Sequence, residues 1–273
     1  MRVAAINWRI RDIRRRDGFF EHLAELVEQA AAQGAELAVL PELAVLELLG
    51  LDPELPPEDV PTFLAAFAEE FELEAGKLAA RHGLTLCAGS HFRRERDVLN
   101  VSITAFPDGM TRYQPKVKLT SYERDVWKLG RGQHLEPANP PLGVTICYDC
   151  EFPESGRKLA ESGVLIQCVP AFTETKRGFQ RVRWSCHARA IENQIYVVHS
   201  SLVGSLGREP APQSFGSSAI LAPCIEPFPE SAVLAETARG EEGIAIADLD
   251  LQMLLLAREQ GDVRNWNDRA PEW

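Results

Sequence analysis

The sequence predicts an α/β fold, and three observations carry that prediction. Short β-branched, apolar runs recur along the chain, and several are apolar throughout, as in strands covered on both faces. Stretches with apolar residues at helical spacing alternate with them. The first strand, helix and next strand repeat over about 30 residues, the size of a βαβ-like unit. No linker, repeat or low-complexity tract interrupts the pattern, so residues 1–273 are read as one domain.

Taken in order, Val3 to Trp8 is a first strand, followed by an arginine-rich loop from Arg9 to Arg16. Phe19 to Ala32 places Phe20, Leu23, Leu26, Val27 and Ala30 at helical spacing and stops at Gly34. Leu37 to Leu40 is a second buried strand, ended by Pro41-Glu42. Beyond Pro56-Pro57, one long helix is expected through Phe63, Phe67, Phe71 and Leu78 to His82, stopped by Gly83. Leu84 to Ala88 and Val98 to Phe106 are strands, and Pro107-Asp108-Gly109 turns the chain into Thr111 to Tyr113. Lys116 to Pro141 is expected to be irregular, and long segments of that kind tend to be functional. A helix from Pro153 to Ser162, a strand from Val164 to Val169, a helix from Arg177 to Glu192 and a strand from Ile195 to Ser200 follow. After a Gly/Pro loop come three antiparallel strands, Ser217 to Leu221, Ala232 to Thr237 and Gly243 to Ala247, and a last helix from Asp250.

The net charge of −11 argues against nucleic-acid binding, which needs a basic face. The longest apolar region, Leu37 to Leu51, is broken by Pro41, Glu42 and Glu47 and is too short for a bilayer, so no membrane partner is expected. The amino terminus carries no signal-peptide pattern, and six cysteines in 273 residues do not form a disulfide framework. A soluble protein of the reducing cytoplasm is the expectation.

The chemistry centres on Gly143 to Glu154. A buried apolar run leads into Cys147, and Pro153 suits the first position of a helix. A thiol at such a strand-to-helix turn meets free backbone N–H groups and the helix dipole, and a lowered pKa is expected there. Cys147 is therefore the candidate nucleophile. Glu42 follows a buried strand directly, where desolvation raises a carboxyl toward a usable general base. Lys116 follows the hairpin, where an ammonium is placed to stabilise a tetrahedral oxyanion and to favour the Cys147 thiolate.

In chain order, Glu42, Lys116 and Cys147 each fall at or just after a strand end. With these residues the chain resembles the nitrilase, or carbon–nitrogen hydrolase, superfamily. Leu40-Pro41-Glu42-Leu43 is similar to its glutamate motif and Tyr113 to Leu119 to its lysine motif. Ile146-Cys147-Tyr148-Asp149 with Phe152-Pro153-Glu154 is similar to its cysteine motif, and Ala188 to Gln194 resembles a further helix end. The resemblance covers nearly the whole chain. It implies a four-layer α-β-β-α sandwich of the nitrilase type that pairs into a homodimer or higher oligomer. It also implies a Glu-Lys-Cys triad: Glu42 as general base, Lys116 as oxyanion stabiliser and Cys147 as nucleophile. The Tyr148 N–H would complete the oxyanion hole and Glu123 would position substrate. The implied reaction hydrolyses a small amide or ω-amide to an acid and ammonia, with neither metal nor organic cofactor. Nitrile or N-carbamoyl substrates fit the same triad. Glu151 and Lys118 depart from the family pattern, so the substrate pocket is its own. Arg177, Arg181 and Arg183 are candidate partners for a substrate carboxylate.

Rival readings start from other residues. Cys147 and Cys150 spell a C-x-x-C redox motif, which would make the chain a thiol–disulfide protein and leave Glu42 and Lys116 idle. Cys186-His187 lacks a second ligand pair for zinc and reads as helix core. Cys87, Cys168 and Cys224 read as small residues of apolar strands. A silent, partner-binding member of the family is disfavoured by an intact triad.

Overall fold

The computed structural model describes residues 1–269; residues 270–273, the end of the expected single unit, lie outside the described residues. The architecture is built on β1 (Arg2–Ile10), which is buried on both faces. Ala4, Ile6 and Trp8 point into one core, while Val3 and Ala5 point into another. Strand periodicity of two makes this division automatic once both faces are apolar.

The first core is closed by α1 (Arg16–Ala32), whose Phe19, Leu23 and Leu26 lie against β1. β2 (Leu37–Val39) runs parallel to β1. The expected single helix to His82 is two, α2 (Val60–Ala65) and α3 (Ala68–His82). At the break, the Ala66 and Phe67 N–H groups bond to Phe63 and Leu64, a tighter three-residue closure. That turn lets both Leu64 and Phe71 reach the core, while Phe63 and Phe67 stay partly exposed. β3 (Thr85–Arg94), β4 (Val98–Ala105) and β5 (Thr111–Pro115) form an antiparallel meander, with β3 parallel to β2. β3 extends beyond its expected end because the chain continues through a bulge at Gly89.

The irregular region contains a short helix, α4 (Ser121–Asp125), and ends in β6 (Pro137–Asn139). β7 (Leu142–Val144) leads to a tight turn at Cys147–Glu151, then α5 (Pro153–Glu161), β8 (Ile166–Ala171), α6 (Lys176–Asn193) and β9 (Tyr196–Gly204). β7, β8 and β9 are mutually parallel. β10 (Ala219–Leu221) pairs antiparallel with β9 and with β11 (Val233–Glu236). β12 (Gly243–Asp248) returns antiparallel to β1, and α7 (Leu251–Gln260) is capped by Asp250.

The strand order is β5-β4-β3-β2-β1-β9-β8-β7-β6. β1 belongs to two sheets: residues 2–7 pair with β12, and Trp8 to Ile10 pair with β9. The two sheets stack with Val3, Val39 and Cys87 facing Cys168 and Val197 in a shared interior. α1 and α3 cover the outer face of one, and Val182, Cys186 and Ala190 of α6 cover the other. The result is four layers, α-β-β-α. Among the described residues no helix is long and apolar enough to cross a membrane. Cys87 and Cys168 are buried as expected, whereas Cys224 is exposed in a turn beyond β10. β10 ends at Leu221, three residues before it.

Candidate active site

Four chain segments that follow β2, β5, β7 and β8 converge at one end of the sandwich. Glu42 is held by a turn that closes against the bulge of β3. The Leu43 N–H donates to the Ser90 carbonyl at 3.1 Å, and Leu43 adopts φ 54°. A Cβ on Gly89 would sit 1.9 Å from the Pro41 carbonyl oxygen, so only glycine lets the two backbones meet. The segment beyond is pinned by buried Glu47, which accepts the Trp8 Nε1–H at 2.8 Å.

Buried Glu42 is fully engaged. Its Oε1 accepts from Lys116 Nζ at 2.6 Å and from Asn100 Nδ2 at 3.0 Å, and its Oε2 accepts the Phe172 N–H at 2.9 Å. Lys116 Nζ also donates to Glu123 Oε1 at 2.9 Å, and Asn100 Nδ2 reaches the same oxygen at 3.0 Å. The second Glu123 oxygen accepts from the Thr120 N–H and hydroxyl, the capping box of α4. Glu123 is thus a buried anchor of Lys116 rather than a surface charge paired with Arg124 or Lys128.

Cys147 occupies the first position of the turn after β7 at φ 46°, a left-handed conformation that costs a non-glycine residue energy. Its Sγ lies 3.5 Å from the Phe172 carbonyl oxygen. Asp149, two residues on, is fully buried and gathers the backbone N–H groups of Ile146, Val117 and Lys118. It ties the cysteine turn to the strand end that carries Lys116.

Two carboxylates share one ammonium here, and that imbalance governs the electrostatics. Burial raises the Glu42 pKa, and the Glu123 charge adds to the rise against the pull of Lys116. Burial acts against Lys116, yet the charges of Glu123 and Glu42 hold its pKa well above the ordinary value. Glu123 stays below its ordinary value, because Lys116 and its hydrogen bonds overcome burial. The Cys147 thiol is pushed well up, first by burial and then by Glu42, with Lys116 opposing. This corrects the expected lowered thiol pKa. The turn at Cys147 is followed by α5 only from Pro153, so the helix dipole is remote, and the adjacent carboxylate outweighs it. The resting sulfur is a protonated thiol.

Glu42, Lys116, Glu123, Cys147 and Tyr148 line one cavity of about 240 Å³. Trp127, Tyr122 and Phe172 supply its aromatic wall, and Glu151, Glu174 and Arg181 its remaining charge. Of the three arginines proposed for a substrate carboxylate, only Arg181 lines the cavity, and it pairs with Glu151 at 3.3 Å. Arg183 is buried elsewhere, against His199 and Glu236. Cys150 Sγ faces Cys186 Sγ at 3.7 Å within the core, which orients it into the layer beneath the turn. Among the described residues no three His, Cys, Asp or Glu side chains form a metal-holding group.

Sequence reasoning missed Asn100, Asp149, Phe172 and Gly89. Asn100 carried a weak signal, as an amide between Leu99 and Val101 in a strand. Asp149 lay inside the cysteine motif without an assigned task.

The fold class is the nitrilase-type four-layer sandwich. A carbon–nitrogen hydrolase of known structure from Helicobacter pylori G27 matches it with a TM-score of 0.79 at 22% identity, covering 95% of this chain and 92% of that one. The sequence model of the carbon–nitrogen hydrolase family matches residues 2–259, and the chain belongs to that family. A probable hydrolase, YhcX, from Bacillus subtilis is 31% identical over 274 residues, covering 98% of this chain and 53% of that protein. The deaminated glutathione amidase of Bos taurus is 29% identical over 260 residues, covering 88% of this chain and 74% of that protein. The chain spans about half the length of two of the curated relatives it matches, 53% and 56%.

Proposed function

We propose that the protein hydrolyses a small amide to a carboxylic acid and ammonia through a thioester on Cys147. One observation carries this reading: Lys116 bridges Glu42 and Glu123 in the cavity that also holds the Cys147 thiol. Membership of the carbon–nitrogen hydrolase family and a relative named as an amidase support it.

Glu42, with its raised pKa, takes the thiol proton as sulfur attacks the amide carbonyl carbon. A concerted transfer suits a thiol that rests protonated. Negative charge passes to the carbonyl oxygen, where the Lys116 ammonium and the Tyr148 N–H stabilise it. The intermediate collapses as protonated Glu42 returns its proton to the leaving nitrogen, and ammonia departs. Water then gives a proton to Glu42 and attacks the thioester carbon. Release of the acid returns that proton to sulfur and leaves Glu42 ionised. Glu123 and Asn100 keep the lysine and the base in register.

A homodimer or higher oligomer is proposed on α6, where Trp184 and Ile191 stand exposed, and sedimentation at two protein concentrations tests it.

The reading is tested by intact-protein mass after incubation with small amides, nitriles and N-carbamoyl compounds, wild type beside Cys147→Ala. An acyl mass gain on wild type alone, with ammonia released from amides, is the expected result. Turnover by Cys147→Ala would remove Cys147 from the mechanism. Reversible loss of two hydrogens between Cys147 and Cys150, with no acyl adduct, would put the redox reading first.

A further inference from the structure

We infer that the substrate carries a cationic group, an ammonium on a short aliphatic tail, and that Glu174 receives it. This deepens the amidase reading and rests on it.

The cavity's charges are almost all accounted for. Lys116 is spent on Glu42 and Glu123, and Arg181 on Glu151. Glu174 lines the same cavity, half-buried, and takes part in no hydrogen bond or ion pair among the described residues. Burial and then the nearby Glu209 charge raise its pKa, with no cation in opposition. A partly desolvated carboxylate without a partner is costly, and an ammonium bound beside it removes that cost. A substrate carboxylate, by contrast, would meet no unpaired cation among the lining residues.

A second group points the same way. The Tyr122 hydroxyl is buried beside Glu209, the carboxylate to which its O–H is directed, and its oxygen accepts no hydrogen bond among the described residues while its ring lines the cavity. Its pKa is pushed up to about 12 by burial, Glu209 and Glu174, so it stays a neutral phenol that accepts a hydrogen bond. An ammonium offers three donors and no acceptor, which matches one carboxylate plus one phenol oxygen. The aromatic faces of Trp127 and Phe172 suit a cation and its methylene stem.

Chain geometry bounds the tail. Glu174 lies two residues beyond Phe172, whose N–H and carbonyl touch Glu42 and Cys147. Two residues separate the Phe172 and Glu174 Cα atoms by at most about 7 Å, which keeps Glu174 near the reacting centre and favours a short tail. An acyl chain of about four or five carbons is of that order of length.

The test uses three amides of one length on the intact protein: δ-aminovaleramide, caproamide and adipamate, with ammonium, methyl and carboxylate ends. The expected order of kcat/KM is ammonium over methyl by about tenfold or more, with adipamate last. Glu174→Gln should reduce the ammonium-to-methyl ratio about tenfold, and Glu174→Asp should retain part of it. Adipamate hydrolysed as fast as δ-aminovaleramide, or an unchanged ratio in Glu174→Gln, overturns the inference. If no amide reacts, the amidase reading fails on its own. Calorimetric binding of δ-aminovaleramide and caproamide to Cys147→Ala, with and without Glu174→Gln, then decides the charge preference separately: equal binding of the two overturns it.

Discussion

Asp149 accepts the Lys118 N–H at 2.6 Å and thereby fastens the turn bearing Cys147 to the strand end bearing Lys116. The same carboxylate takes the Val117 and Ile146 N–H groups, so three backbone donors, that of Ile146 fully buried and the other two partly so, depend on one side chain. Asp149→Ala leaves those donors unmatched, a loss of about 2–4 kcal/mol for buried groups. Urea denaturation of the variant should show that loss. At temperatures where the variant remains folded, kcat should fall at least tenfold, because the sulfur and the ammonium are no longer fixed to each other. Wild-type kcat in a folded Asp149→Ala would show that the tie does not matter.

The same residue sets a pH dependence. Burial raises the Asp149 pKa from 3.8 to about 6, against the pull of Lys116 and its hydrogen bonds. Across that window the folded chain holds the proton more tightly than the unfolded one. Stability contributed by Asp149 is therefore fully present below the lower value, falls as pH rises through the window, and levels off above about 6. The shift corresponds to about 3 kcal/mol at most. Unfolding free energies of wild type and Asp149→Asn, measured from pH 3.5 to 7, should converge or cross by roughly that amount. A pH-independent difference would mean that folding leaves the Asp149 pKa unchanged.

How much of this was legible in the sequence depends on how local each cause is. Glu42, Lys116 and Cys147 were visible because each falls at or just after a strand end, and a strand end is a local signal. Glu123 was reached only through the family resemblance, since its capping box is local but its grip on Lys116 is not. Asn100 lies 58 residues from Glu42 and Phe172 lies 130 from it, so their roles appear only once strand order and register are known. The thiol pKa was misjudged for the same reason. A helix-dipole argument uses neighbours in sequence, whereas the carboxylate that raises the thiol comes from the other sheet. The redox motif was equally local, and the fold sets Cys150 against Cys186 of α6.

Gly89 is the least substitutable glycine near the site. It holds φ 70°, and an added Cβ would collide with the Pro41 backbone. Since that neighbour is backbone, relief requires moving the segment that carries Glu42. Gly89→Ala should cost about 2–4 kcal/mol and reduce kcat out of proportion to KM. Gly76→Ala, on an open face of α3, is the control and should be neutral or slightly stabilising. Equal stability of the two variants would show that the bulge yields without disturbing Glu42.

The sharing of one ammonium by two carboxylates makes a last, separable prediction about the base. Glu123 contributes a negative charge that raises the Glu42 pKa, and its carboxylate also holds Lys116. Glu123→Gln removes the charge but keeps an oxygen able to accept from Lys116 and a shape that fits the same space. Without the second anion, Lys116 acts on Glu42 alone, so Glu42 ionises more easily. The acid limb of kcat/KM should move to lower pH, because that limb reports deprotonation of the base in the free enzyme. Its plateau should fall as well, since a weaker base removes the thiol proton less readily. Iodoacetamide alkylation of Cys147 offers a check without substrate: its pH profile should move the same way, with thiolate forming more easily once a nearby negative charge is gone. A limb that moves to higher pH, or one that stays in place while the plateau falls, would mean that Glu123 acts on Lys116 alone and that Glu42 is not the titrating base.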